Sequence, residues 1–93
     1  MKPSELMLKG FAMAGGRKCN GQPYTGNPLC PTAVCAIGAL RLAENGSADI
    51  GGHRQEMRAR GAWNRLFNEY LWVANDEGMS IPDIAGILAA EGL

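Results

Sequence analysis

Three cysteines and a single histidine are the residues of this chain best suited to binding a metal ion. They are Cys19, Cys30, Cys35 and His53. Three thiolates and one imidazole form a common zinc ligand set, and zinc would help to order a long loop beside a small core. However, no two of the cysteines show the C-x2-C spacing that is frequent in zinc sites. A zinc-stabilised regulatory protein is therefore one of two alternative functions.

Nucleophilic catalysis by a thiolate is a second chemistry open to these residues. Cys35 follows the predicted helix N-cap Thr32 by three positions, and a helix N-terminus lowers the pKa of a thiol. His53 could then act as the base, with Asn75 or Asp76 to orient it. Against this, the apolar neighbours of Cys35 would raise its pKa and restrict access. A hydrolase or transferase using Cys35, His53 and Asp76 is the other alternative.

A tryptophan beside arginines provides a third possibility, a protein-binding surface. Trp72 falls away from the apolar stripe of its predicted helix, on the side that also carries Arg65. A tryptophan in that position either covers an edge of the core or is exposed. Arg54 and Arg58 would extend the surface with a basic edge. The candidate interface residues are Trp72, Arg58, Arg65 and Arg54.

Length and composition narrow the class of protein. The chain has 93 residues, 46% of them hydrophobic, and a formal net charge of zero. This favours one folded domain, residues 1–93, over a disordered chain, and argues against a dedicated nucleic-acid binder. No apolar run approaches the length of a membrane span. The odd number of cysteines favours reduced thiols and a cytoplasmic protein.

The charges are separated along the chain. Residues 1–65 hold nine basic and four acidic side chains, a net charge of +5, whereas residues 66–93 hold five acidic and no basic ones, a net charge of −5. The two segments either neutralise each other inside the domain or create a surface dipole. Such a dipole would steer a charged partner or pair the chain with a second copy as a homodimer.

The elements that must position these residues are predicted to be helices. The pattern predicts helices over 3–14, 33–45 and 62–77, a short helical turn over 54–60, and a last helix capped by Ser80. The stretch 15–31 is rich in Gly and Pro and is predicted to be a long loop. No alternating apolar stretch is long enough to predict a strand. The predicted fold class is all-α, with four to five short helices around a buried central helix, 33–45.

Two local features of these helices require an explanation. Gly38, in the middle of the apolar run of the central helix, predicts a close approach by another helix or by the long loop. Asn75, Asp76 and Glu77 end the 62–77 helix, where acidic side chains oppose the helix dipole. Side-chain hydrogen bonds to the following turn or to the long loop would account for them.

The run Cys-Ala-Ile-Gly-Ala-Leu at residues 35–40 resembles the Cys-Ala-Leu-Gly-Ala-Leu signature of a family of small uncharacterised proteins from actinobacteria and their phages. A glycine-rich loop precedes that signature in the family, as residues 18–27 do here. A Trp-Asn-Asp segment follows it; Asn75 and Asp76 match the pair, whereas Ala74 stands at the Trp position. The resemblance implies a helical domain and a phage-encoded, host-directed protein, without a known activity.

Together these observations favour a small, non-enzymatic, cytoplasmic module that binds a host protein. The residues predicted to carry this function are on the outer face of the long helix, around Trp72 with Arg58 and Arg65. No cofactor, nucleic acid or membrane is expected as a partner.

Overall fold

The computed structural model describes all 93 residues as five helices and one two-stranded sheet. The elements in chain order are α1 (Pro3–Met13), β1 (Tyr24–Asn27), β2 (Cys30–Val34), α2 (Ala36–Asn45), α3 (Arg54–Phe67), α4 (Leu71–Asp76) and α5 (Ile81–Ala90). Nineteen buried apolar residues from these elements form one hydrophobic core. None of the helices combines the length and the apolar character that crossing a membrane requires.

The all-α prediction is wrong, because the predicted loop 15–31 contains most of an antiparallel β-hairpin. Tyr24 pairs with Val34 and Asn27 pairs with Cys30, with a register shift between Thr25 and Gly26. The strands have four and five residues and include a Gly and a Pro, so they show no extended alternation. The prediction of a mostly helical chain is correct, but the prediction that the chain has no strand is wrong.

Side-chain hydrogen bonds define the hairpin. The hydroxyls of Thr25 and Thr32 lie 2.7 Å apart across the two strands, a favourable cross-strand pair. At the turn, the Asn27 Oδ1 accepts a hydrogen bond from the backbone N–H of Leu29 at 2.8 Å. Thr32 is therefore a strand residue, and its predicted role as a helix N-cap is wrong.

The central helix α2 begins three residues later than predicted, with Cys35 as its N-cap. The backbone of Cys35 is extended, its N–H donates to the Pro23 carbonyl at 3.0 Å, and its thiol accepts from the Gly38 N–H at 3.4 Å. At the other end Gly46 adopts a left-handed conformation and stops the helix, as predicted. All six residues from 35 to 40 are buried.

The predicted helix 62–77 is two helices. The predicted turn 54–60 is continuous with residues 62–67 through Gly61 and forms α3, and the chain breaks at Asn68, which has a left-handed φ of 52°. Asparagine tolerates this conformation better than most residues. The chain turns at residues 68–70 and α4 follows. Trp63 and Leu71 are buried, whereas Leu66, Phe67 and Tyr70, which have the same apolar spacing in the sequence, are exposed.

Of the terminal helices, α1 packs against the central helix α2, and α5 packs mainly against α1. The backbone of α1 approaches α2 so closely that a Cβ at Gly10 would lie 1.8 Å from the Ala39 carbonyl oxygen. The hydroxyl of Ser80 accepts from the Asp83 N–H at 3.1 Å and caps α5, as predicted. These helices leave one edge of α2 open, beside α4 and the loop that precedes β1.

Candidate functional site

A cleft of about 280 Å³ opens at that edge of α2. It lies where the loop before β1, the start of α2, the middle of α3 and the helix α4 meet. Its walls are formed by Gly21, Gln22, Pro23, Cys35, Ile37, Arg41, Arg60, Trp72 and Asp76. This cleft combines charged, apolar and thiol groups, so we take it as the candidate site.

Two arginines of the cleft share one buried carboxylate. Arg41 donates from Nε to Glu56 Oε1 at 2.8 Å and from Nη2 to Oε2 at 3.2 Å, and Arg60 donates from Nη1 to Oε2 at 3.0 Å. Burial of Glu56 raises its pKa, but the two guanidinium groups outweigh this and hold the pKa below its ordinary value. The same contacts raise the pKa of Arg41. Both arginines are therefore held in place by the same carboxylate.

The arginines keep unused donors. Nη1 of Arg41, and Nε and Nη2 of Arg60, have no acceptor within the protein. The two side chains are 19% and 34% exposed, whereas Glu56 is fully buried. Arg41 also lies flat against Gly51, where a Cβ would come within 2.4 Å of its Nη2. The pair therefore offers preorganised N–H groups towards the cleft.

Asn75 and Asp76 join the glycine-rich loop to the helices around the cleft. The fully buried Asn75 accepts from the Ala36 N–H at 3.0 Å and donates to the Cys19 carbonyl at 3.0 Å. Asp76 Oδ1 accepts from the Gly21 N–H at 3.0 Å. Hydrogen bonds to the following turn or to the long loop are the predicted explanation for these residues, and the structure shows bonds to the long loop for Asn75 and Asp76. These bonds explain why Asp76 is tolerated at the end of α4.

Lys18 reinforces the same connection from the loop side. Its ammonium donates to the carbonyls of Asn75 at 2.7 Å and Met79 at 3.1 Å, at the C-terminal end of α4. A cation in this position also favours the helix dipole. The loop that forms one wall of the cleft is thus held by backbone, amide, carboxylate and ammonium contacts.

The thiol of Cys35 lines the cleft but is only 5% exposed. Burial raises its pKa, and Asp76 raises it further, against the lowering effect of the Gly38 N–H. Burial and the neighbouring Cys35 thiol likewise raise the pKa of Cys19. A raised pKa leaves little thiolate at neutral pH, which is unfavourable for nucleophilic catalysis.

The proposed catalytic set is only partly brought together. Cys35 and Asp76 share the cleft, but His53 is exposed at the N-cap of α3 and does not line it. No imidazole therefore stands beside the thiol to act as its base. The zinc set is not assembled either, because no group of three His, Cys, Asp or Glu side chains lies close enough to hold a metal ion.

Trp72 borders the cleft and stacks on Tyr70. The two rings are 6.0 Å apart with an interplanar angle of 11°, and the residues are 45% and 61% exposed. Phe67, 47% exposed, packs on the buried Trp63 with ring centroids 4.6 Å apart. Tyr70 and Trp72 form what we call the aromatic surface. Trp72 is thus not a core residue.

The other predicted interface residues lie elsewhere. Arg54, Arg58 and Arg65 are exposed on α3, at positions that share one stripe of the helix, and none of them lines the cleft. Arg58 bonds to Gln55, and Arg65 borders a second, smaller concavity near the C-terminus. Because the chain breaks at Asn68, Trp72 belongs to a different helix from these arginines.

The arginines that accompany Trp72 are Arg41 and Arg60, which are not among the residues predicted from the sequence. The one signal that could have found them is Arg41 itself, a single charge in the apolar run of α2. Its partner Glu56 is fifteen positions away, and nothing in the local pattern joins them.

Comparison with protein families, with curated proteins and with solved structures finds no match to this chain.

Proposed function

We propose that this chain is a non-enzymatic protein-binding module and that it binds its partner through the aromatic surface and the adjoining cleft. The observation that carries the proposal is the stacked pair of Tyr70 and Trp72, about half exposed although the core is complete without them. Trp, Tyr and Arg are the residues enriched at the energetic centres of protein interfaces. Here Arg41 and Arg60 stand beside Trp72 in one cleft.

The chemistry of the cleft supports binding over catalysis. Its only nucleophile, Cys35, is buried and has a raised pKa, and no imidazole lies near it. The arginines are held by Glu56 in fixed positions, which reduces the entropy lost when a partner binds. Aromatic rings with two or fewer rotatable side-chain bonds have the same advantage.

The partner we propose is a host protein in the cytoplasm. This part of the proposal is supported by the likeness of residues 35–40 and of Asn75 and Asp76 to the actinobacterial and actinophage signature. The free thiols of the three cysteines are compatible with a reducing compartment.

Affinity capture from an actinobacterial lysate tests the proposal. We expect the unmodified chain to retain a specific protein, and Trp72→Ala and Tyr70→Ala to retain at least about tenfold less, as expected when an interface hot spot is truncated. Leu29→Ala is the matched control, because Leu29 is a large apolar residue, 68% exposed, on the hairpin turn. Equal capture by Trp72→Ala and Leu29→Ala would show that the aromatic surface is not the binding surface.

A further inference from the structure

The charges inside the cleft are balanced and spatially fixed. Arg41, Arg60 and Asp76 line the cleft and bring two positive charges and one negative charge, and the buried Glu56 that both arginines contact brings the second negative charge. The Glu56 carboxylate is fully occupied by guanidinium groups and by the Gly52 N–H at 3.3 Å. Hence a ligand encounters the free N–H groups of the arginines and the free carboxylate oxygen of Asp76.

Asp76 has one oxygen left for a ligand. Its Oδ1 accepts from Gly21 and from the Asn75 amide at 3.2 Å, whereas Oδ2 has no donor within the protein. A simple anion would meet the arginines favourably but would be repelled by Asp76. A group that carries a carboxylate and an N–H donor a few atoms apart would satisfy both.

We propose that the cleft binds the C-terminal residue of a partner polypeptide. Arg41 and Arg60 bind the terminal carboxylate, Asp76 Oδ2 accepts the main-chain N–H, and an apolar last side chain packs between Trp72 and Ile37. This inference rests on the proposed function, and it deepens that function by naming the part of the partner that is recognised. Capture of a terminal carboxylate by fixed donors is a known mode of peptide recognition.

The size of the cleft favours a chain end over an internal segment. Its volume, about 280 Å³, is at the lower limit of small-ligand sites. An internal acidic segment would have to enter and leave through the same opening, whereas a chain end needs to enter once. The aromatic surface outside the opening then contacts the residues that precede the end.

Titration of the full chain with short peptides tests the inference, with the Trp72 indole N–H signal in NMR spectra as the readout. The probe is a pool of N-acetylated tripeptides that end in Leu, Ile, Val, Phe or Met with a free carboxylate. The comparison pool carries a C-terminal amide. We expect saturable binding of the acid pool and at least about tenfold weaker binding of the amide pool, because charge-assisted hydrogen bonds are lost.

Matched arginine variants locate the binding. Arg60→Gln should lower the affinity for the acid pool about tenfold. Arg58→Gln, on the same helix but outside the cleft, should leave that affinity unchanged. Thermal unfolding of both variants confirms that they fold, and Arg60→Lys gives a second variant that keeps the charge. Equal binding of the two pools, no saturable binding, or equal effects of Arg58→Gln and Arg60→Gln would overturn the inference.

Three further results show which of the two proposals is in error. If free leucine binds more tightly than the acetylated acid pool, the ligand is a free amino acid, and the inference that the cleft binds the C-terminal residue of a partner is wrong. If Trp72→Ala abolishes protein capture while Arg60→Gln does not, the proposed function stands and the terminal-residue inference fails. If capture does not depend on Trp72, the proposed function fails, and the peptide titration still decides what the cleft binds.

Discussion

Gly38 of α2 lies against the carbonyl group of Pro23, and a Cβ at Gly38 would be 1.8 Å from that oxygen. The same carbonyl accepts the hydrogen bond from Cys35 that precedes the helix. The glycine therefore lets the loop wall of the cleft reach the first turn of α2. A bulkier residue would push that wall away, because backbone atoms on both sides cannot yield.

Gly38→Ala should therefore destabilise the protein by about 1–3 kcal/mol, in spite of the higher helix propensity of alanine. Gly86→Ala is the matched control: Gly86 also lies within a helix, α5, but a Cβ added there would meet no atom within 4 Å. It should stabilise the protein by about 0.5–1 kcal/mol. Denaturant unfolding measures both values, and similar results for the two variants would contradict the close approach.

Asn75→Ala should lower the free energy of unfolding by about 2–4 kcal/mol. The substitution leaves the Ala36 N–H and the Cys19 carbonyl without their partner, and unsatisfied buried groups cost about 1–3 kcal/mol each. Asn64→Ala, at an exposed asparagine on α3, should change stability by less than about 0.5 kcal/mol. Thermal unfolding followed by circular dichroism compares them, and an Asn75→Ala protein as stable as the control would refute the anchoring role.

Acid should remove the stability that Glu56 contributes. Its folded pKa is below the ordinary value of 4.5, so the contribution is complete above about pH 4.5 and is lost as the pH falls through the folded pKa. Glu56→Gln should cost about 3 kcal/mol at pH 7 by leaving two guanidinium groups without their carboxylate. It should also flatten the acid limb of the stability curve.

The control for Glu56 is Glu69→Gln, because Glu69 has no ion pair in the structure. Urea unfolding of the three proteins between pH 3 and pH 7 provides the comparison. An acid limb that is equally steep in Glu56→Gln and in the unmodified chain would show that the carboxylate does not titrate with a lowered pKa.

The helix ends marked by local residues could be predicted from the sequence, and the contacts between distant segments could not. Ser80 and Gly46 act on backbone groups within a few positions, so their roles are visible in the pattern. The break at Asn68 and the hairpin are different. The hairpin pairs neighbouring segments, but its strands are too short to show an alternating pattern. At Asn68 the sequence gives no break signal as obvious as the one that Gly61 offers.

The residues of the candidate site likewise include some that the sequence could predict and some that it could not. Because Trp72 falls off the apolar stripe of its predicted helix, its place at the edge of the core or on the surface could be predicted, but the choice between the two could not. The arginines beside it could not be predicted, since Arg41 is positioned by Glu56 and both reach the cleft through the packing of α2 on α3. For Asn75 and Asp76, the need for distant hydrogen bonds could be anticipated, but the partners could not.

The three thiols should react with iodoacetamide in the order Cys30, Cys19, Cys35. Cys30 is exposed on the hairpin, Cys19 is half-buried, and burial both shields Cys35 and raises its pKa. Peptide mapping by mass spectrometry after timed labelling at pH 7.5 gives the three rates, and labelling in urea shows that all three can react. Fastest labelling of Cys35 in the folded protein would favour the catalytic alternative over a binding module.

The central claim is that the exposed Tyr70 and Trp72 rings belong to a binding surface and not to the core. The test is the affinity of the captured partner for Trp72→Ala, measured beside Leu29→Ala. Both variants must have the thermal midpoint of the unmodified chain within about 4 °C. We predict an affinity at least about tenfold lower for Trp72→Ala and unchanged for Leu29→Ala. An unchanged affinity for Trp72→Ala, or its loss only because that variant unfolds, would contradict the claim.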